Sequence, residues 1–126
     1  MLKTRLAVAV IAAAAITAAA PAAWAVPTSP FNLVNGPSYF RGNIAWNAGS
    51  YTVTGTLHTE GCLSVRTTGY AVRDGVPHVL NDSNTGPLCD QDRHMKATYL
   101  WNADFVRLSL NKGSSGVQQR IDRPAS

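Results

Sequence analysis

The sequence is poor in the features that most often betray a function. It holds two cysteines in 126 residues, so a clustered-cysteine zinc site is excluded. Only 14% of the residues are charged. The arginines downstream of the N-terminal segment (Arg41, Arg66, Arg73, Arg93, Arg107, Arg120 and Arg123) are scattered. A nucleic-acid binder concentrates its cations in a stripe, so nucleic acid is not an expected partner. Beyond residue 25 no window has a 3.6-residue apolar period, which leaves no amphipathic helix. No apolar run there approaches the ~20 residues that cross a bilayer. There is no G-x-S-x-G and no H-E-x-x-H. Asp82-Ser83-Asn84-Thr85-Gly86 begins like a calcium loop, but Gly86 stands where the next ligand belongs and no Glu closes it.

What is present begins with a leader. Lys3 and Arg5 precede an apolar run from Leu6 to Ala20, and Ala23-Trp24-Ala25 supplies an A-x-A cleavage site. This is the layout of a secretory signal peptide over 1–25, with Pro21 interrupting the run. Its removal takes Lys3 and Arg5 from eleven cations, leaving nine against seven carboxylates, a net charge of +2. The exported chain of about 100 residues suffices for one domain. Outside the reducing cytosol Cys62 and Cys89 are expected to form one disulfide. Loop-closure entropy puts that bond at roughly 3–4 kcal/mol, a large share of the ~5–15 kcal/mol of an ordinary domain. Oxidation also removes any thiolate nucleophile.

The segment 26–38 contains Pro27, Pro30 and Pro37 and reads as a proline-rich arm, with Phe31, Leu33 and Val34 available for docking. The β-domain is expected over 39–112. Tyr39 to Trp46 is a short strand, and Asn47-Ala48-Gly49-Ser50 a turn. Tyr51 to Thr59 alternates cleanly, with Tyr51, Val53, Gly55 and Leu57 inward and a threonine face outward. Gly55 leaves room for a large neighbour. From Cys62 to Arg73 the apolar residues change parity, since Leu63 and Val65 are odd while Tyr70 and Val72 are even. A bulge near Thr67-Thr68-Gly69 would reconcile them. Asp74-Gly75 signals a type I′ hairpin turn. Pro77 in the return arm argues for an edge strand. Two more alternating strands follow, over 94–101 and 106–111. The segment 113–126 has isolated Val117 and Ile121 and reads as a flexible tail. The fold class is therefore all-β: a small antiparallel sandwich or open barrel of six to seven strands with one disulfide.

Candidate site residues are few. His58 and Glu60 lie two apart, as do Asp90, Asp92 and His94. The disulfide brings both groups near one another, and histidines with carboxylates are zinc or copper ligands. The spacing is permissive, and no cofactor is expected. Ser64, His78 and Asp82 could be assembled into a triad, but no motif supports it. Trp46 and Trp101 are the candidates for an aromatic binding platform; alternation otherwise places the aromatics in the core. Asn81 to Leu88 is a polar loop tethered at Cys89, of the kind a small inhibitor would present.

The Ala-rich leader ending Ala23-Trp24-Ala25, the Thr-rich strand before Gly61-Cys62 and the single second cysteine together resemble the small secreted β-proteins common in actinobacteria. The resemblance covers most of the chain and implies a secreted β-domain, with no activity and no functional residues to carry over. The expected function is a secreted, non-catalytic binding or interaction module, monomeric, acting on an extracellular protein or polysaccharide. The alternatives are a small inhibitor of an extracellular enzyme, or a small metal-binding protein or hydrolase.

Overall fold

The computed structural model describes residues 25–125. Apart from Ala25, the expected leader lies outside the described residues. Nine strands and no helix occur among the described residues. They are β1 (Thr28–Asn35), β2 (Ser38–Asn47), β3 (Ser50–His58), β4 (Cys62–Arg73), β5 (Val76–Asn84), β6 (Leu88–Cys89), β7 (Asp92–Tyr99), β8 (Phe105–Lys112) and β9 (Ser115–Asp122). Every pairing is antiparallel. The first sheet runs β1-β2-β3-β7, and the second runs β5-β4-β8-β9 with β6 also on β4. The expected sandwich is the fold, with nine strands rather than six or seven.

Two of the additional strands come from the ends. The proline-rich arm is edge strand β1, paired with β2 from Thr28 to Asn35. Pro30 is tolerated there because an edge strand has one unpaired side. Phe31 and Leu33 bury their side chains in the core. The segment read as a tail forms β9, in register with β8 from Ser115 to Asp122. Ile121 is buried, and the Gln119 side chain accepts a hydrogen bond from Asn32 N at 3.0 Å. A polar residue thus occupies an inward position and satisfies an edge donor of the opposite sheet, which masks the alternation of β9. Arg123 finishes the closure: its Nε donates to Ala103 O at 2.7 Å, and its guanidinium lies over the Trp46 ring.

The core is built from the inner faces of both sheets. Phe40, Ile44, Tyr51 and Leu57 meet Leu63, Val106, Leu108 and Leu110. Gly55 fulfils its expected role, since a Cβ there would sit 2.8 Å from the Phe40 ring and 3.1 Å from the Phe31 ring. Tyr51 crosses the sandwich, its hydroxyl hydrogen-bonded to Asn81 Oδ1 at 3.0 Å. Gly69 makes that bridge possible, because a Cβ would meet Asn81 Oδ1 at 2.3 Å and the Tyr51 hydroxyl at 2.8 Å.

The parity problem in the hairpin has a different solution from the one expected. β4 keeps an unbroken register with β8 from Ser64 to Tyr70. The irregularity is in the partner: Gly69 pairs with Asn81 and Tyr70 with Val79, so Leu80 is the extra residue, on β5. Tyr70 simply faces outward, where it stacks on Phe105 with ring centroids 4.6 Å apart. Val72 is exposed. The bulge lets both Asn81 and Leu80 turn inward while Val79 and Asp82 share the outer face. Asp74 and Gly75 both have positive φ, as a type I′ turn requires.

Cys62 and Cys89 are directly paired across β4 and β6, with Cα atoms 4.0 Å apart and a disulfide between them. Changing both to serine should lower the unfolding free energy by roughly 3–4 kcal/mol. Urea melts at matched m-value measure it; a loss under about 1 kcal/mol would mean that backbone pairing alone holds this point. Tyr51 generates a second expectation. Burial pushes its hydroxyl up from 10.0 to about 12, reinforced by Tyr99 and opposed by the Asn81 hydrogen bond. A raised folded value contributes stability that is whole below pH 10.0 and is lost as pH climbs to about 12. The difference in melting temperature between wild type and Tyr51→Phe should be constant below pH 10.0, and wild type should lose ground to the variant as pH rises to about 12. Parallel curves would remove Tyr51 as the source.

Candidate functional site

Two outer faces present the polar side chains. On the first sheet the outward positions of β3 are Thr52, Thr54, Thr56 and His58, paired with Thr98, Lys96, His94 and Asp92 of β7. At one end of this face the candidate ligands gather in part. His58 Nδ1 lies 2.7 Å from Asp92 Oδ1, and its Nε2 lies 3.0 Å from Glu60 Oε2. Tyr39 stacks on the imidazole, and Arg41 covers Tyr39 at 3.8 Å. Asp90 does not join them: its Oδ1 accepts from Gly61 N at 2.7 Å. His94 sits one pair further along, opposite Thr56. Among the described residues no group of three or more His, Cys, Asp or Glu is placed to hold a metal ion.

The His58 cluster is a charge pair rather than a coordination shell. Both ring nitrogens face carboxylate oxygens, so the doubly protonated ring donates twice. The Glu60 and Asp92 hydrogen bonds accordingly hold His58 above its usual 6.5.

The other sequence candidates separate. Trp46 is buried and donates from Nε1 to Ser29 Oγ at 2.9 Å, so it is a core residue and not a platform. Trp101 and Leu100 lie beyond the end of β7, in a loop, and are 47% and 81% exposed. The alternation that would have placed Trp101 in the core ends at Tyr99. Ser64 and His78 do not meet. His78 pairs with Ala71, seven residues along β4 from Ser64, a span of roughly 23 Å. Asn81 to Asn84 is strand rather than free loop. Thr85 continues it, exchanging backbone and side-chain bonds with Val65.

The second sheet carries a concavity on its outer face that sequence reasoning missed. It encloses about 300 Å³ and is lined by Arg66, Thr68 and Tyr70 of β4, Val79 and Asp82 of β5, Arg107, Ser109 and Asn111 of β8, and Gln118 of β9. The pairing explains why these residues converge. Asp82, Thr68, Arg107 and Arg120 form one row across the four strands, and Asn84, Arg66, Ser109 and Gln118 form the next. Thr68 and Ser109 are 8% and 7% exposed although they face away from the core, so they form the floor of a groove. The floor is already hydrogen-bonded: Thr68 Oγ1 donates to Asp82 Oδ1 at 3.2 Å, and Asn111 Nδ2 donates to Ser109 Oγ at 3.1 Å. Arg66 grips Asp82 with two hydrogen bonds, one of them from Nε at 2.8 Å. That grip holds the Asp82 carboxyl below its ordinary value, with Thr68 assisting. The signal for this face was present as alternation: Arg66-x-Thr68-x-Tyr70 and Arg107-x-Ser109-x-Asn111 are polar-outward strands. It could be assembled only once β9 was known to be a strand.

A scan against protein-family models, a search of curated proteins and a search of solved structures each return no match.

The His58 cluster sets a pH expectation. Its raised value contributes stability that is fully present below about pH 6.5 and disappears as pH rises through the higher folded value. His58→Gln should therefore lower the melting temperature at pH 5.5 and leave it near wild type at pH 9. An equal loss at both pH values would assign His58 a packing role against Tyr39 instead.

Proposed function

We propose that the chain is a secreted, non-catalytic binding module whose ligand seat is the groove on the outer face of the second sheet. The observation that carries this reading is the groove itself. An antiparallel sheet needs only one face for its core, and the other is here shaped into a depression with a buried, pre-bonded hydroxyl floor. Its volume of about 300 Å³ falls at the lower bound of ordinary small-ligand sites. Polar groups fixed before a ligand arrives cost little to order on binding.

Other features support the remaining parts of the reading. The leader pattern and the disulfide, a bond compatible with an extracellular location, favour secretion. With them we propose the actinobacterial origin that the Ala-rich leader suggested. The one carboxylate of the groove, Asp82, is engaged by Arg66 and Thr68 and kept ionised. Catalytic acids are tuned in the opposite direction, which favours binding over hydrolysis. Hydroxyl and amide side chains outnumber apolar ones in the lining as a whole. This suits a hydroxyl-rich ligand better than a protein, whose interfaces centre on large apolar anchors. We therefore favour an extracellular polysaccharide over a protein partner.

Backbone amide spectra of the purified protein, recorded with a panel of neutral and acidic oligosaccharides, test the seat. Shift changes should cluster on β4, β8 and β9 around Thr68, Ser109 and Gln118. Changes centred on Leu100 and Trp101, or none with any oligosaccharide, would sink the reading.

A further inference from the structure

Charge in the groove is balanced everywhere but at its centre. Arg66 is paired with Asp82 at one margin. At the other margin Arg120 donates from Nε to Asp122 Oδ1 at 2.8 Å and lies over the Phe105 ring at 3.7 Å. Arg107 lies between them. Among the described residues no carboxylate comes within 4.0 Å of its guanidinium. Its nearest aromatic contact is loose, 5.4 Å to the Tyr70 centroid.

The placement of Arg107 is costly in the free protein. It pairs directly with Arg120 across β8 and β9, and both point outward. Side chains directly opposite on one face stand about 4.5–5.5 Å apart at Cβ, where like charges repel. On its other side Arg107 pairs with Thr68, whose hydroxyl donates to Asp82 and not toward the guanidinium. An exposed arginine is thus held between a hydroxyl and a second arginine, over a polar floor, and among the described residues no side-chain hydrogen bond engages its donor fork.

We infer that the groove takes an acidic saccharide, a sugar unit whose carboxylate docks on Arg107 while its hydroxyls meet the surrounding amides and hydroxyls. This rests on the groove being the ligand seat. The charge count sets the class. One uncompensated cation matches one carboxylate per site, not the dense charge of a polyphosphate chain or a nucleic acid, which is met by several cations in a row. The planar fork of arginine suits a carboxylate in bidentate fashion, and such charge-assisted bonds are about twice as strong as neutral ones. Asn111 and Gln118 each combine donors and an acceptor on one planar group, which fits neighbouring sugar hydroxyls. Tyr70 and Val79 form an apolar wall for the C–H side of a ring.

The test compares two acidic polymers with the neutral ester of one of them. Polygalacturonate, alginate and fully methyl-esterified polygalacturonate are titrated calorimetrically into wild type, Arg107→Gln and Arg107→Lys. At least one acidic polymer should bind at least tenfold more tightly than the ester. Arg107→Gln should erase that preference and leave the weaker ester-level binding. Arg107→Lys should keep part of it, because the charge remains but the fork is lost. Amide spectra of the same mixtures should place the acid-dependent shifts on β8 and β9. Acid and ester binding equally, with shifts in the groove, would overturn the acidic assignment and leave the seat intact. Tight acid binding that survives Arg107→Gln overturns the assignment too, as diffuse attraction by the other arginines. If neither polymer shifts any groove amide, the assignment falls together with the seat. Should Arg107→Gln fail to fold, Arg107→Lys decides: the acid preference must fall when the fork is lost with the charge kept, and an undiminished preference overturns the assignment as diffuse attraction.

Discussion

Two of the three places where the chain changes sheets meet at one tied point, and the rest of the architecture depends on it. β3 belongs to the first sheet and β4 to the second; β6 lies on β4 and β7 returns to the first. These two crossings pass through the same small region; the third, from β7 to β8, lies elsewhere. Cys62 and Cys89 join them covalently. Thr59 N donates to Gln91 O at 2.8 Å, and Gln91 N returns a bond to Thr59 Oγ1 at 2.9 Å. Gly61 and Asp90 repeat the exchange one step along. Gly61 and Asp90 both have positive φ, so each crossing is a sharp corner. The His58 cluster flanks the same point. Cross-link, backbone bonds and ion pairs all hold these two crossings side by side. Tyr51 and Asn81 bridge the sheets further along, and β1 against β9 closes one long side.

The two outer faces then follow different rules. On the first sheet, threonines and charged residues stand in register and satisfy one another: Thr52 with Thr98, His58 with Asp92 and Glu60, Arg41 over Tyr39. On the second sheet, the bulge at Leu80 brings Asp82 and Val79 onto one face with Tyr70. A floor of small hydroxyl residues lies beneath longer walls, and one arginine is left over. A sheet face becomes concave in this way when short side chains sit between long ones: Thr68 lies between Asp82 and Arg107, and Ser109 between Arg66 and Gln118. The pairing of Thr68 and Ser109 with their bulky neighbours produces that profile without any loop.

Much of this was legible in the sequence. Alternation located β3, the inner residues of β7 and most of β8, because each offers three or more apolar residues of one parity. Asp74-Gly75 and Pro77 gave the hairpin and its edge character through backbone chemistry. The cysteine pair was fixed by arithmetic. The losses occurred where side chains broke the period for a reason outside the strand. Gln119 faces inward to bond Asn32, so β9 looked like a tail. Three prolines hid β1, since an edge strand can dispense with donors that a central one needs. Tyr70 looked like a core residue but stacks on Phe105 on the outer face, which moved the bulge to the wrong arm. Of the candidate site, His58, Glu60 and Asp92 were rightly grouped. The groove was not found, because its residues come from four strands and one of those had not been recognised.

The outward position of Tyr70 has a consequence for how the molecule moves. Past Tyr70, β4 leaves β8 behind, and among the described residues only the Asp104 side chain, accepting from Val72 N at 2.7 Å, holds its free side. The tip beyond is two strands and a turn, with Val72, Val76 and Val79 exposed. Segments with so few buried contacts open at lower free energy than the core. One wall of the groove, Tyr70 and Val79, therefore borders the part of the fold that opens most readily, while the opposite wall, on β8 and β9, belongs to a part backed by the core. A ligand seated between them would bridge a compliant edge to a stiff one, and part of its binding energy would go into quieting the hairpin.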